Sequence, residues 1–299
     1  MDIFTLYVGQ GDLAAVRAGD EVVIVDAHMP NCDDVMQHQI EWSLDRYVAK
    51  KNVCGLILTG LDKDHACPAG VDSILSRYRP NWVMYPKCYK DTDTAAEVFE
   101  IIEREVKSRE RTSRPLARKS LRVDRVENRL FTDLAKYFTF ELFSPHMADM
   151  DSSNNSSIVV KVTGLDQTSF SYLVTGDTET ERWDNINRFF GKSLRSDVLS
   201  APHHGARSGF NAQALLHVNP HTVLISAGVD NAYGHPDHSA VAAYAKVAKR
   251  VFSTNQTSDG SCLLTRRLGN DYQTLLLGHN EEEEPPKIAA YATFGLGRR

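Results

Sequence analysis

Two periodicities interleave along this chain. Short apolar runs with period-two character read as strands, and longer segments with apolar residues three and four apart read as helices. Ile3 to Val8 is a first strand, ending at the tight turn Gly9-Gln10-Gly11-Asp12. Leu13 to Arg17 resumes, Gly19-Asp20 turns, and Val22 to Val25 closes on Asp26-Ala27-His28, the pattern of an antiparallel meander. Residues 33–50 place Val35, Ile40, Leu44, Tyr47 and Val48 on roughly one face and predict an amphipathic helix. Val53 to Leu58 is a buried strand, Val71 to Tyr78 a helix ended near Pro80, and Trp82 to Tyr85 a strand stopped by Pro86. Residues 94–109 predict a second clear helix with Val98, Phe99, Ile102 and Val106 inward.

The second half repeats the alternation. Phe138 to Phe143 is a strand running to Ser144-Pro145-His146, and Asp149 to Ser157 is a polar loop. Ser157 to Val162 and Ser169 to Thr175 form a hairpin-like pair ending in Gly176-Asp177. Helices are expected over Glu179 to Phe190 and 239–249, and strands over Asp197 to Leu199, Thr222 to Ser226, Val251 to Ser253 and Ser261 to Thr265. Strand after strand stops at a polar residue: Asp26, then Asp62, Asp64 and His65, then Asp177, His203 with His204, and His235. Strands mixed with helices in this way predict an α/β fold of two sheets between helices, with a site along one edge. No repeat or linker is visible, so residues 1–280 read as a single domain and 281–299 as an exposed acidic, proline-containing tail.

The strongest chemical signal follows the strand Val53 to Leu58. Asp62, Asp64 and His65 fall within four positions. Carboxylates this close repel, so the cluster needs a cation or raised pKa values. A polar loop with an aspartate capping the next helix explains the same residues without a metal. Asp12 and Asp26 read as turn caps, with a lesser expectation that they orient ligands.

Composition narrows the class. The chain has 299 residues, 42% hydrophobic and 24% charged, enough for a full core. No apolar run is long enough to span a bilayer and the N-terminus lacks a secretory pattern, so a cytoplasmic, membrane-free protein is expected. Five cysteines (Cys32, Cys54, Cys67, Cys88, Cys262) without CxxC spacing argue for free thiols and against a cysteine-type zinc site. Net charge is −5, so nucleic-acid binding would need a local basic patch. The stretch 104–129 supplies ten Lys or Arg against four Asp or Glu. It reads either as a solvated helix end and loop or as a surface for phosphates.

These motifs resemble a known family. Asp62-x-Asp64-His65 resembles the HxHxDH signature of the metallo-β-lactamase fold, and Gly176-Asp177 after an apolar strand resembles its bridging-aspartate motif. Val8 to Asp12, Asn154-Asn155-x-Ser157, Leu173 to Asp177, Pro202-His203-His204-Gly205 and Tyr233-Gly234-His235-Pro236 are similar to the metallo-β-lactamase domain of bacterial competence (ComEC-type) DNA-uptake proteins. Five motifs in order, across residues 3–265, make the resemblance specific. It implies an αββα sandwich and metal-dependent cleavage of DNA phosphodiesters. It also implies that Asp64, His65 and one of His203 and His204 hold one ion, that Asp177 bridges to a second, and that Asp62 serves the second. His235 would neighbour the ligands or handle a proton, with Asp64 the other catalytic candidate.

The sequence departs from the family's pattern at three places. The first histidine is Gly60, which has no donor, and the second is Asp62. Asn154-Asn155 stands where lactamases often carry histidine. Carboxylate in place of imidazole hardens the ligand set and favours Mn²⁺, with Zn²⁺ or Mg²⁺ as alternatives. His28 is a lesser candidate to replace the lost ligand. The expected function is a metal-dependent nuclease acting on DNA, with a hydrolase of a small cyclic nucleotide, or a degenerate binding module with a protein partner, as alternatives.

Overall fold

The computed structural model describes residues 1–30, 34–87, 91–122, 125–144 and 152–279. In chain order the strands are β1 (Asp2–Thr5), β2 (Ala14–Ala18), β3 (Glu21–Val25), β4 (Asn52–Ile57), β5 (Trp82–Pro86), β6 (Ala117–Leu121), β7 (Glu127–Phe131), β8 (Phe138–Ser144), β9 (Val159–Gly164), β10 (Ser171–Val174), β11 (Val198–Ser200), β12 (Thr222–Ile225), β13 (Arg250–Ser253), β14 (Cys262–Leu268) and β15 (Asp271–Leu277). The helices are α1 (Asp34–Val48), α2 (Pro68–Arg77), α3 (Asp93–Arg109), α4 (Thr180–Phe190), α5 (Ala212–Val218) and α6 (His238–Val247).

The strands form two mixed sheets. The first runs β15-β14-β1-β2-β3-β4-β5-β6 and the second β13-β12-β11-β10-β9-β8-β7. Three apolar layers hold them. Ile3, Val16, Ile57, Trp82 and Met84 of the first sheet meet Phe138, Phe140, Val160, Tyr172 and Leu224 of the second. The outer face of the first sheet buries Ile40, Leu44, Ile74, Val98 and Ile102 from α1 to α3. The outer face of the second buries Trp183, Ile186, Leu215 and Tyr244 from α4 to α6. Each sheet is therefore apolar on both faces; β3, β4 and β5, joined in parallel by the crossover helices α1 and α2, accordingly read as nearly continuous apolar runs. This is the α/β, αββα sandwich expected from the sequence, two mixed sheets between two layers of helices.

Some elements differ from expectation. Val35 is 69% exposed, because five residues before Ile40 is about 140° around a helix; Met36 takes the inward place. The basic stretch 104–129 is not only a helix end and loop. It contains β6 and β7, the edge strands of the two sheets, whose exposed faces hide no alternation. Three of its cations are paired, Arg104 with Asp72, Arg118 with Glu103 and Arg125 with Glu127. β15 and α5 carried no expectation. Among the described residues no helix is long and apolar enough to cross a membrane. Pro145 to Asp151, Cys32, Cys88 and the tail 281–299 lie outside the described residues.

One glycine sets how closely α2 approaches the strand ends. A Cβ at Gly70 would fall 1.9 Å from the Ala27 carbonyl oxygen, so only a hydrogen fits. Gly70→Ala is expected to cost about 1–3 kcal/mol through forced displacement of that backbone. Urea denaturation measures it, and an unchanged midpoint would show that the contact relaxes freely.

Candidate metal centre

The polar strand ends converge on one rim. Asp12 lies between β1 and β2, Asp26 follows β3, and Asp64 and His65 follow β4. Asp177 follows β10, His203 and His204 follow β11, and Ser226 and His235 follow β12. Backbone hydrogen bonds lock the loops together: Asp12 N–H donates to Asp64 O, Ala27 N–H to His65 O, and His203 N–H to Gly176 O.

Asp12, His65, Asp177 and His204 each offer one ligand atom, and the four atoms lie within 4.8 Å of one another. His65 Nε2 is 2.9 Å from Asp177 Oδ1, yet both are buried and neither has a hydrogen-bond partner. Two orphaned donor atoms facing a common point fit a cation that would satisfy both. Nδ1 of His65 faces the Asp26 carboxylate at 3.1 Å, and Asp26 accepts from Thr59 N–H and Oγ1 at 2.6 and 2.7 Å. That arrangement fixes the ring with Nε2 toward Asp177, while Asp12 Oδ2 lies on the other side, 3.5 Å from His65 Nδ1 and 3.7 Å from His204 Nδ1. His204 is turned the same way, with Nδ1 3.0 Å from Ser226 O and Nε2 3.3 Å from Asp64 Oδ2. Asp177 faces two directions: Oδ1 looks toward His65 and His204, and Oδ2 lies 3.8 Å from His203 Nε2.

The electrostatics match a buried cluster of unlike groups. Burial pushes the Asp12 carboxyl up to about 6, against the pull of His204 and His65. Burial also raises Asp177, but His65 and His204 outweigh it and hold the carboxyl well below the ordinary range. Burial disfavours charge on both imidazoles, yet Asp177 and Asp26 hold His65 well above its usual value. Asp177 and Asp12 likewise hold His204 up to about 9. Desolvation of Asp64 is outweighed by its hydrogen bond with His204, so its carboxyl sits low.

The backbone is bent to make this arrangement. Among the described residues seven non-glycine residues have positive φ, and Asp26, His203 and His204 are three of them. His203 and His204 take consecutive left-handed conformations (φ 51°, ψ 49° and φ 54°, ψ 24°). Each costs about 1–2 kcal/mol relative to the right-handed region.

Of the residues singled out from sequence, His65, Asp177 and His204 come together in the four-donor group, and Asp64 stands beside it, its Oδ2 3.3 Å from His204 Nε2. His203 stands at the outer side of Asp177, with Nδ1 3.1 Å from Ser208 Oγ. His235 stacks over His204 and beside His203, at ring separations of 6.4 and 5.6 Å. Asp62 is half-buried outside the four-donor group, its carboxyl raised by burial and by Asp64 and hydrogen-bonded to Ser153. His28 is held by Lys63 O at 3.0 Å and is not in the group. Asn154 and Asn155 bind Glu179, through its side chain and backbone N–H. Asp12 is the member that sequence reading set aside as a turn cap; its place in Val8 to Asp12, a motif already singled out, was the available signal.

Asp26→Ala removes the group that aims His65 and is expected to weaken divalent-ion binding about 10- to 100-fold with the fold retained. Titration calorimetry with Mn²⁺ measures it. Undiminished affinity would show that His65 needs no such support.

No family model matches the chain. It is 26% identical over 219 residues to ComE operon protein 3 of Bacillus subtilis, covering 73% of this chain and 26% of that protein. It is 32% identical over 97 residues to competence protein ComA of Neisseria gonorrhoeae, covering 32% and 14%. The chain thus aligns with about a quarter or less of these relatives. Among solved structures, Igni18, a metallo hydrolase of the archaeon Ignicoccus hospitalis, superposes with a TM-score of 0.49 at 14% identity, covering 88% of this chain and 98% of that one. In layer order the chain is an αββα sandwich, and in the sequence it shares with these relatives it resembles the competence proteins.

Proposed function

We propose that this protein is a divalent-metal-dependent phosphodiester hydrolase that acts on DNA. The observation that carries the reading is the convergence of Asp12, His65, Asp177 and His204, with two buried donor atoms lacking partners. Two carboxylates and two imidazoles, with Asp64 against His204, make a mixed oxygen and nitrogen set, without thiolate, that suits a divalent ion such as Mn²⁺ or Zn²⁺. A divalent ion held there supplies a water of lowered pKa and neutralises charge on a phosphate.

The chain's own groups have distinct tasks. Asp26 and Ser226 O aim the two imidazoles. Asp177, with oxygens facing His65 and His203, is shaped to serve two positions at once. His235 sits at the outer side, half-buried, its charged form disfavoured by burial and by His203 and His204. A neutral imidazole there is suited to pass a proton to or from the reacting phosphate. The choice of DNA rests on the competence-named relatives.

Gly60 favours a second reading, a binding module without catalysis, since it stands where the family signature has its first histidine. The nearest atoms to a Cβ there are those of the His65 ring and Ser157 Oγ, at 3.8 Å, an ordinary contact, so a Cβ fits. Gly60→His is therefore expected to raise Mn²⁺ occupancy in equilibrium dialysis, and unchanged occupancy would place position 60 outside the centre. For the activity itself, supercoiled plasmid and oligonucleotides are incubated with Mn²⁺, and with Asp177→Ala as control. Cleavage that needs the metal and falls at least 100-fold in the variant is expected. Equal products from both proteins, or none from either, would defeat the nuclease reading.

A further inference from the structure

Four aromatic rings lie nearly parallel in series from the buried centre to the surface. His65 stacks on His204 at 5.4 Å and 24°, His204 on His235 at 6.4 Å and 22°, and His235 on Tyr233 at 5.8 Å and 15°. The first two are buried and His235 is half-buried. Tyr233 is 72% exposed, so one ring face rests on His235 and the other meets solvent.

The loop that carries Tyr233 is held firmly. Asn231 Oδ1 accepts from the backbone N–H of Tyr233 and His235, at 3.2 and 3.0 Å. Asn231 Nδ2 donates to Gly228 O and His235 O, and Asn255 Nδ2 donates to the same two carbonyls at 3.0 and 3.1 Å. Gly234, at φ +67°, turns the chain so that the rings at 233 and 235 overlie. A frame of hydrogen bonds thus fixes the backbone from which the exposed Tyr233 ring projects. A large exposed aromatic on a fixed loop beside a reaction centre is the form that base-stacking platforms take.

We propose that Tyr233 is a stacking platform for a nucleobase of the nucleotide next to the phosphate at the centre. This rests on the phosphodiesterase reading and narrows it: the substrate carries a flat ring beside its phosphate, and the protein grips that ring without reading its sequence. Every base has a π-face, so the contact tolerates any of them.

The test measures binding, with Ca²⁺ in place of Mn²⁺ to hold back cleavage. The probes are a short single-stranded oligonucleotide containing 2-aminopurine and a base-free deoxyribose-phosphate oligomer of the same length. Tyr233→Ala is expected to weaken binding of the oligonucleotide roughly 5- to 150-fold, to lose the stacking quench of 2-aminopurine, and to leave binding of the base-free oligomer unchanged. Tyr233→Phe is expected to behave as the unaltered protein, since the ring and not the hydroxyl makes the contact. If Tyr233→Ala binds both probes as the unaltered protein does, or loses both equally, the platform is overturned while the phosphodiesterase reading stands. If the unaltered protein binds neither probe, both fall.

Discussion

A carboxylate removed from water must be met by donors or give up its charge. At Asp26 it is met by Thr59 and by His65, and the rest of the rim depends on that meeting. It ties the end of β3 to the loop after β4 and fixes which nitrogen of His65 faces the centre. The Asp177 orientation then follows, since its Oδ1 is set against that nitrogen. A single buried contact thus links the pairing of two strands to the placement of the donor atoms. The sandwich holds the contact dry from both sides, with Ile57 and Val25 in the layer between the sheets.

Much of this was legible in the sequence, and the exceptions have a common cause. Strands buried on both faces announced themselves as apolar runs, so β3, β4, β5, β10 and β12 were found with small shifts at their ends. The edge strands β6 and β7 were not, because exposed edges carry arginine, lysine and asparagine where a period would be read. Val35 shows the same limit at one residue: apolar type alone does not fix helix phase.

The site divides in the same way. Asp64, His65, Asp177 and His204 stand at strand ends next to recognisable motifs. Asp12 stands in a turn, where an aspartate is ordinary, and only the fold brings β1 and β2 alongside β10 and β12. Asp62 lies two residues from Asp64, yet it turns toward Ser153. Neighbours in sequence therefore part company here, while Asp12 and His204, 192 positions apart by their numbering, face each other at 3.7 Å. Convergence of that kind is a property of topology.

The paired left-handed residues at His203 and His204 set two demands against each other. Glycine would take that backbone without the Cβ clash, so placing two imidazoles there costs strain that the ion pairs of His204 with Asp64 and Asp177 offset. At this bend local backbone ease and the placement of two imidazoles at the rim are opposed.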